Sequence, residues 1–242
     1  MKKIFLFSFI EHLEELRSRL IKAILAWLTG TIIFYGFFID PFLSFIIKPV
    51  HHIVFTSPSE AFTARITITL WGGFLLSLPV ILYQVWQFVA VGLTPQEKKY
   101  VAVFGPLSAV FFILGEAFAY FCMLPISIKF LLSFSTDLFV PMITVDNYIS
   151  FVTTLMLACG VTFELPLIFA FLTKIGIATP EFMRQKRRYV IVVILIVSAI
   201  ITPPDVVSQI LLAAPLLVLY EVGILFSHWI FARQRQSSLI NI

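Results

Sequence analysis

The sequence predicts an all-α membrane protein with six transmembrane helices, and three observations lead to this fold class. The 242 residues are 60% hydrophobic and 12% charged, whereas soluble domains carry about 25% charged residues. Apolar segments long enough to cross a bilayer recur along the chain. Lysines and arginines collect in alternate loops, as they do in polytopic proteins. We therefore expect one polytopic membrane domain over residues 1–242.

Six apolar segments account for the spans. A transmembrane helix needs about 20 apolar residues, and the first four segments satisfy this requirement. The fifth has only 13 residues, which rise about 20 Å and fall short of the roughly 30 Å hydrocarbon core. We therefore expect a short fifth helix, followed by a turn below the outer surface. The expected spans are residues 21–39, 66–91, 101–125, 148–175, 189–201 and 206–230.

The distribution of positive charge predicts the orientation. Fourteen of the 17 lysines and arginines lie on the side of the two termini, and three lie in the opposite loops. Because cytoplasmic loops are enriched in these residues, both termini are expected in the cytoplasm. The opposite loops, residues 40–65 and 126–147, contain prolines and aromatic residues, and each is long enough for a short helix. We expect them to form structured caps.

The segment EHLEELRSRL, residues 11–20, places acidic side chains directly before the first span. On a helix its leucines share one stripe, while Glu11, Glu15 and Arg19 share another. Glu15 and Arg19 are spaced for an ion pair. An ordinary interfacial helix explains this pattern, but it leaves Glu11 and Glu15 repelling each other. A negative site for a basic ligand is the alternative.

A second carboxylate of interest is Glu97 in LTPQEKKY, between spans two and three. Here Thr94 would be an N-cap, Pro95 the first helical residue, and Glu97 the completion of a capping box. Capping alone would account for Glu97. Together with a second cytoplasmic glutamate it would also suit an arginine ligand, because guanidinium groups pair with carboxylates in bidentate fashion.

Three acidic residues lie within the spans, at Glu116, Glu164 and Glu221. An ionised carboxylate near the bilayer centre costs about 3 kcal/mol, so each should face the bundle interior or a wet cavity. Glu164 precedes Pro166, which lacks an N–H and frees a carbonyl one turn earlier. A polar notch in mid-membrane is one interpretation, and a neutral Glu164 hydrogen-bonded for structure alone is another. For Glu221, an ion pair at the membrane interface and a functional role are both open. Glu116 has no assigned role.

Six segments of the chain carry more information in combination than any one of them does alone. They are HLEELRSRL, SLPVILYQVWQFVAVGLTPQEKKY, GEAFAYFCMLP, GVTFELP, GIATPEFMRQKRRYV and ITPPDVVSQILLAAPLLVLYEVG. In order and spacing they resemble the TatC family, the six-span core of the twin-arginine protein translocase, and the resemblance covers nearly the whole chain.

The resemblance implies a receptor for signal peptides that carry consecutive arginines. Such peptides are bound by cytoplasmic carboxylates at the positions that match Glu15 and Glu97. Phe88 matches a family position close to the same site. With His12 and Arg17, these residues make up the expected signal-peptide site.

The family also implies a concave, glove-like bundle with short fifth and sixth helices and with Glu164 in its hollow. Thr202 and Gln209 match positions where small single-span TatA-like and TatB-like subunits dock. We expect the protein to work as part of a multimer. This multimer uses the proton motive force to export folded precursor proteins across the inner (cytoplasmic) membrane. Catalytic residues, a cofactor, a metal and nucleic acid are not expected. The residues of the structural turn are Pro203, Pro204 and Asp205.

Two other functions are compatible with the residues alone. A proton-coupled small-molecule transporter would use Glu164 and Glu221 as a relay, and solute uptake by the purified protein alone would support it. A structural membrane scaffold without a ligand would make the cytoplasmic glutamates dispensable.

Overall fold

A computed structural model gives the structure of the chain and describes residues 2–50, 53–133, 142–201 and 206–240. In this part the regular structure is helical apart from one isolated β-bridge, which confirms the expected all-α architecture. The elements in chain order are α1 (Lys2–Phe37), α2 (Ile39–Ile47), α3 (Pro58–Val91), α4 (Lys98–Phe118), a π-helical turn (Ala119–Met123), α5 (Leu124–Leu132), α6 (Val145–Phe163), α7 (Leu165–Lys174), α8 (Pro180–Ile201) and α9 (Val206–Ile240).

Among the residues described, five helical stretches are long and apolar enough to cross a membrane. The helix α8 is not one of them, in keeping with the short apolar segment expected for the fifth span. The six-span topology and the orientation stay predictions. The five stretches are His12–Phe37, Pro58–Val91, Lys98–Leu132, Val145–Lys174 and Gln209–Arg233.

Three helices extend beyond their apolar segments. Both α3 and α8 begin earlier than expected, at Pro58 and Pro180, because proline is favourable in the first helical turn. The expectation of a short sixth helix is wrong, since α9 has 35 residues. No proline or glycine follows Gly223, and the polar end of α9 contains alanine, arginine and glutamine, which are good helix formers.

The first compact unit comprises residues 1–48 and 57–109, and α1 packs along α3 within it. Small residues let the two backbones approach closely. A Cβ at Gly30 would lie 2.7 Å from the carbonyl oxygen of Gly73, and a Cβ at Gly73 would lie 2.3 Å from Thr31 Oγ1. This close seam fixes the position of the N-terminal helix on α3.

The second compact unit is the remainder of the chain, and hydroxyl groups connect its last three helices. The side-chain oxygens of Thr173 in α7 and Ser227 in α9 lie 2.5 Å apart in a buried hydrogen bond. The hydroxyl of Tyr220 in α9 donates to the carbonyl of Met183 in α8 at 2.7 Å. These bonds satisfy polar groups that would be costly to bury unpaired.

Parts of both expected caps are structured. The helix α2 lies in the first of the two loops. In the second unit, the Val54 N–H donates to the carbonyl of Ile143, and the Val145 N–H donates to the carbonyl of Val54, both at 3.0 Å. These bonds join the segment before α3 to the segment before α6. The expectation of structured outer loops is therefore confirmed for these residues.

Candidate functional site

Glu15 and Arg19 of α1 and Gln84 of α3 form a continuous polar chain in the first unit. Arg19 Nε donates to Glu15 Oε1 at 2.6 Å, and Arg19 Nη1 donates to Gln84 Oε1 at 3.1 Å. The expected i,i+4 ion pair is therefore present. The Glu15 side chain is 32% exposed, so it stays accessible to a ligand although it already holds one guanidinium.

His12 and Phe88 contact each other one turn further along the same two helices. Their ring centroids are 4.7 Å apart, and the ring planes are tilted by 37°. His12 lies three residues before Glu15, and Phe88 lies four residues after Gln84, so both contacts belong to the same helix faces. The structure thus brings His12, Glu15 and Phe88 together where α1 meets α3.

Arg17 lies apart from this face. It is two positions from Glu15, which is about 200° around a helix of 3.6 residues per turn. Its side chain is exposed, and among the residues described it forms no ion pair. The structure does not bring Arg17 together with His12 and Phe88.

Glu97 lies in the short connection between α3 and α4. Its Oε2 accepts a hydrogen bond from the Thr94 N–H at 2.9 Å, which is one of the two bonds of the expected capping box. The N–H groups of Glu97 and Lys98 donate to the Thr94 carbonyl at 3.0 and 3.1 Å. These bonds make a tight turn directly before α4. The Glu97 side chain is half-buried, and its Oε1 has no hydrogen bond to any described residue.

Gln84 is a candidate that the sequence reasoning missed, and Arg19 was expected only as an ion-pair partner. A signal for Gln84 was present, because a polar side chain inside a transmembrane segment is expected to face protein or water. Its spacing of four residues from Phe88 places it on the same face. Only the packing of α1 on α3, however, shows that Gln84 reaches Arg19, which is 65 positions away in the chain.

Glu164 stands at the break between α6 and α7 in the second unit. The helix α6 ends at Phe163 and α7 begins at Leu165, because Pro166 cannot donate the next backbone hydrogen bond. Glu164 Oε1 is buried and has no hydrogen-bond partner within the described ranges. The helix is broken next to an unpaired, buried carboxyl oxygen, and the polar notch in mid-membrane stays a prediction.

The other two intramembrane acids differ from each other. Glu116 is 7% exposed, and neither of its carboxyl oxygens has a partner among the described residues. It packs on Gly160, where a Cβ would lie 2.8 Å from Glu116 Oε1. Glu221 instead forms an ion pair with Arg187, which donates to its Oε2. This interface pairing occupies Glu221 and gives no support to a relay between Glu164 and Glu221.

Gln209, expected as a docking position, has a partner within the chain. Its Nε2 donates to the Leu195 carbonyl at 3.0 Å, which ties the beginning of α9 to α8. The expected residues that lie outside the described part of the chain are Thr202, Pro203, Pro204 and Asp205.

Comparisons with known proteins agree with one another. The family model described as "Sec-independent protein translocase protein (TatC)" matches residues 11–215. The chain is 40% identical over 228 residues to the TatC protein of Carboxydothermus hydrogenoformans, covering 92% of this chain and 93% of the relative. It is 42% identical over 226 residues to the TatC protein of Aquifex aeolicus, covering 88% and 92%. A crystal structure of a "Twin Arginine Translocase Receptor- TatC" superposes with a TM-score of 0.81 at 40% identity, covering 89% of this chain and 97% of that one.

Proposed function

Because this chain belongs to the TatC family, the multi-pass membrane component of the Sec-independent protein translocase, we propose that it is the receptor for twin-arginine signal peptides and the core scaffold of its translocase. Folded precursor proteins are then exported on the proton motive force by the assembled complex, and the chain itself is not an enzyme. It lies in the inner (cytoplasmic) membrane with six spans and both termini in the cytoplasm. The excess of lysine and arginine on the side of the termini supports this orientation.

The observation that carries the proposal is that Glu15 holds a guanidinium group. Arg19 occupies Glu15 Oε1 at 2.6 Å, so the surroundings of this carboxylate already accommodate an arginine side chain. An arginine of a signal peptide either binds the second carboxylate oxygen or replaces Arg19. In the second case Arg19 keeps Gln84 as an acceptor. Charge-assisted bonds of this kind are stronger than neutral hydrogen bonds.

Glu97 and the aromatic pair extend the site. Glu97 offers a second carboxylate, with Oε2 bound to the Thr94 N–H and Oε1 available for a second arginine. The ring of Phe88, which contacts His12, is a surface on which a guanidinium can stack through a cation–π interaction. Arg17, on the exposed face of α1, is the member of the expected site that the geometry supports least.

The proposed partners are TatA-like and TatB-like single-span subunits, with several copies of the chain in the receptor complex. They dock near Gln209, in the first turn of α9, and near Thr202, which precedes this helix in the sequence. Glu164 either engages a polar side chain of a partner or hydrates the membrane locally. The support for this role is its buried and unpaired Oε1 at the break before α7, because such a group is costly in a membrane unless it acquires a partner.

Signal-peptide binding to the purified full chain in lipid nanodiscs tests the receptor role. Glu15→Gln and Glu97→Gln each remove one charged acceptor. The loss of one charge-assisted hydrogen bond, about 1.5–3 kcal/mol, corresponds to binding weaker by about 10- to 150-fold. Glu14→Gln is the matched control, because Glu14 is exposed on the same helix, and it should bind the peptide like the wild type.

The peptide supplies a second arm of this experiment. Replacing its two arginines by lysines should weaken binding to the wild type, since lysine lacks the planar set of donors with which a guanidinium binds a carboxylate and stacks on an aromatic ring. The same replacement should have a smaller effect on Glu15→Gln, in which the pair is already lost. Equal affinity of both peptides for every variant would refute the proposal.

A further inference from the structure

A cavity of about 650 Å³ opens between α3 and α4 in the first unit. This volume lies within the range of small-molecule sites, about 300–1000 Å³. One wall is the indole of Trp86, which is 7% exposed and is fixed because its Nε1 donates to Ser108 Oγ at 2.9 Å. Gly105 faces this ring, and a Cβ there would lie 3.7 Å from Trp86 Cδ1. The small residue and the fixed ring keep the cavity open.

The depth of the cavity corresponds to one leaflet of a bilayer. Its lining runs along α3 from Ala90 to Pro79 and along α4 from Lys98 to Ala109. Each of these stretches advances 11 residues, or about 16 Å along a helix axis. Half of the hydrocarbon core is about 15 Å. The walls therefore follow an acyl chain from the membrane surface to the midplane.

The polar end of the cavity is positive. Lys98 lines this end and has no ion-pair partner among the described residues. The neighbouring Glu97 does not neutralise it, because that carboxylate turns back to the Thr94 N–H. Tyr83 and Gln87 contribute a phenol and an amide to the opposite wall. A free ammonium group at the membrane surface attracts a phosphate, whereas the described residues of the cavity lining offer no carboxylate to an arginine.

We propose that this cavity binds one anionic phospholipid, whose phosphate pairs with Lys98 and whose acyl chain lies against Trp86. The lipid fills the space between α3 and α4 and supports the connection that joins them. Gln87 and Lys98, which line the cavity, are adjacent in the sequence to Phe88 and Glu97. The bound lipid therefore makes the shape of the signal-peptide site sensitive to the anionic lipid content of the membrane.

Native mass spectrometry of the full chain, purified in detergent, tests the head-group preference. The protein is incubated with phosphatidylglycerol or phosphatidylcholine that carry the same acyl chains. One lysine near an anionic lipid should favour the anionic form about fivefold. Lys98→Gln should remove this preference. Lys99→Gln is the matched control and should keep it, because the Lys99 ammonium lies over the Tyr100 ring at 5.4 Å and does not line the cavity.

A second pair of variants tests the place of the acyl chain. Ala102→Trp fills the cavity, because Ala102 lines it, and should reduce retention of both lipids about tenfold or more. Val103→Trp is the control, since Val103 is 63% exposed outside the cavity, and it should retain the lipid. Melting temperatures of all variants identify any that fail to fold, and Lys98→Gln tests the site independently of Ala102→Trp.

Three results would overturn the proposal. The first is equal retention of both lipids by the wild type. The second is the same loss of preference for phosphatidylglycerol in Lys98→Gln and Lys99→Gln. The third is full retention of both lipids by Ala102→Trp. Displacement of the lipid by a twin-arginine peptide, together with weaker peptide binding to Ala102→Trp, would assign the cavity to the peptide instead. Glu15→Gln should retain the lipid. Failure of the lipid proposal and failure of the receptor proposal therefore give different results.

Discussion

Gly73 sets the distance between α1 and α3, and Gly73→Ala tests how the signal-peptide site depends on it. The added Cβ would lie 2.3 Å from Thr31 Oγ1 and 2.5 Å from Thr31 Cα. A rotamer change cannot relieve the contact with the backbone, so the helices must separate by about 1 Å to reach an ordinary carbon–carbon distance. The bond from Arg19 to Gln84, now 3.1 Å, would then lengthen beyond hydrogen-bond range if both side chains keep their rotamers.

The expected cost of Gly73→Ala is the balance of two effects. Overpacking costs about 1–3 kcal/mol, and the better helix propensity of alanine returns about 0.5–1 kcal/mol. The net loss, about 0–2.5 kcal/mol with a middle value near 1 kcal/mol, should lower the melting temperature in detergent by a few degrees and weaken signal-peptide binding. Gly36→Ala is the matched control on α1, because its Cβ would meet nothing within 4 Å, and its melting temperature should not fall. A wild-type melting temperature and peptide affinity for Gly73→Ala would show that Gly73 does not set the distance between α1 and α3.

Three further predictions concern the second unit. Thr173→Val leaves the Ser227 hydroxyl buried without its partner and should cost about 1–3 kcal/mol in thermal unfolding; no loss would contradict the bond between α7 and α9. Arg187→Ala leaves Glu221, an acid within the sixth expected span, without its cation and should cost up to about 3 kcal/mol in thermal unfolding; no loss would contradict a stabilising role of this pair. Glu164→Gln should retain export and Glu164→Ala should lower it, because an uncharged hydrogen-bonding group suffices in the membrane interior; wild-type export in both would remove Glu164 from the functional site.

Much of the fold could be predicted from hydropathy, because a segment that crosses a membrane must satisfy its backbone hydrogen bonds internally and few structures do so. Each expected span falls on one helix or on a run of consecutive helical elements. The ends were less predictable, since they depend on backbone capping rather than on hydrophobicity. The basic segment before residue 189 is polar yet helical, and α9 extends to Ile240. The π-helical turn Ala119–Met123 had no signal in the residue pattern.

The candidate site was predictable where its contacts are local in the chain. The pair of Glu15 with Arg19 and the bond from Thr94 to Glu97 span four and three residues, so sequence spacing alone suggests them. The contact of Arg19 with Gln84 joins two helices and depends on the glycine seam between them. The partner of Glu221 also required the packing of α9 on α8.

Site-specific photo-crosslinking to a signal peptide, in membranes that contain the partner subunits, is the decisive experiment for the receptor role. A photoreactive residue at Leu16 or Gln96 leaves Glu15 and Glu97 intact. We expect crosslinks from both positions to a peptide with two arginines, and their loss when both arginines are replaced by lysines. If neither position crosslinks, residues 11–20 form an ordinary interfacial helix and the receptor account is contradicted.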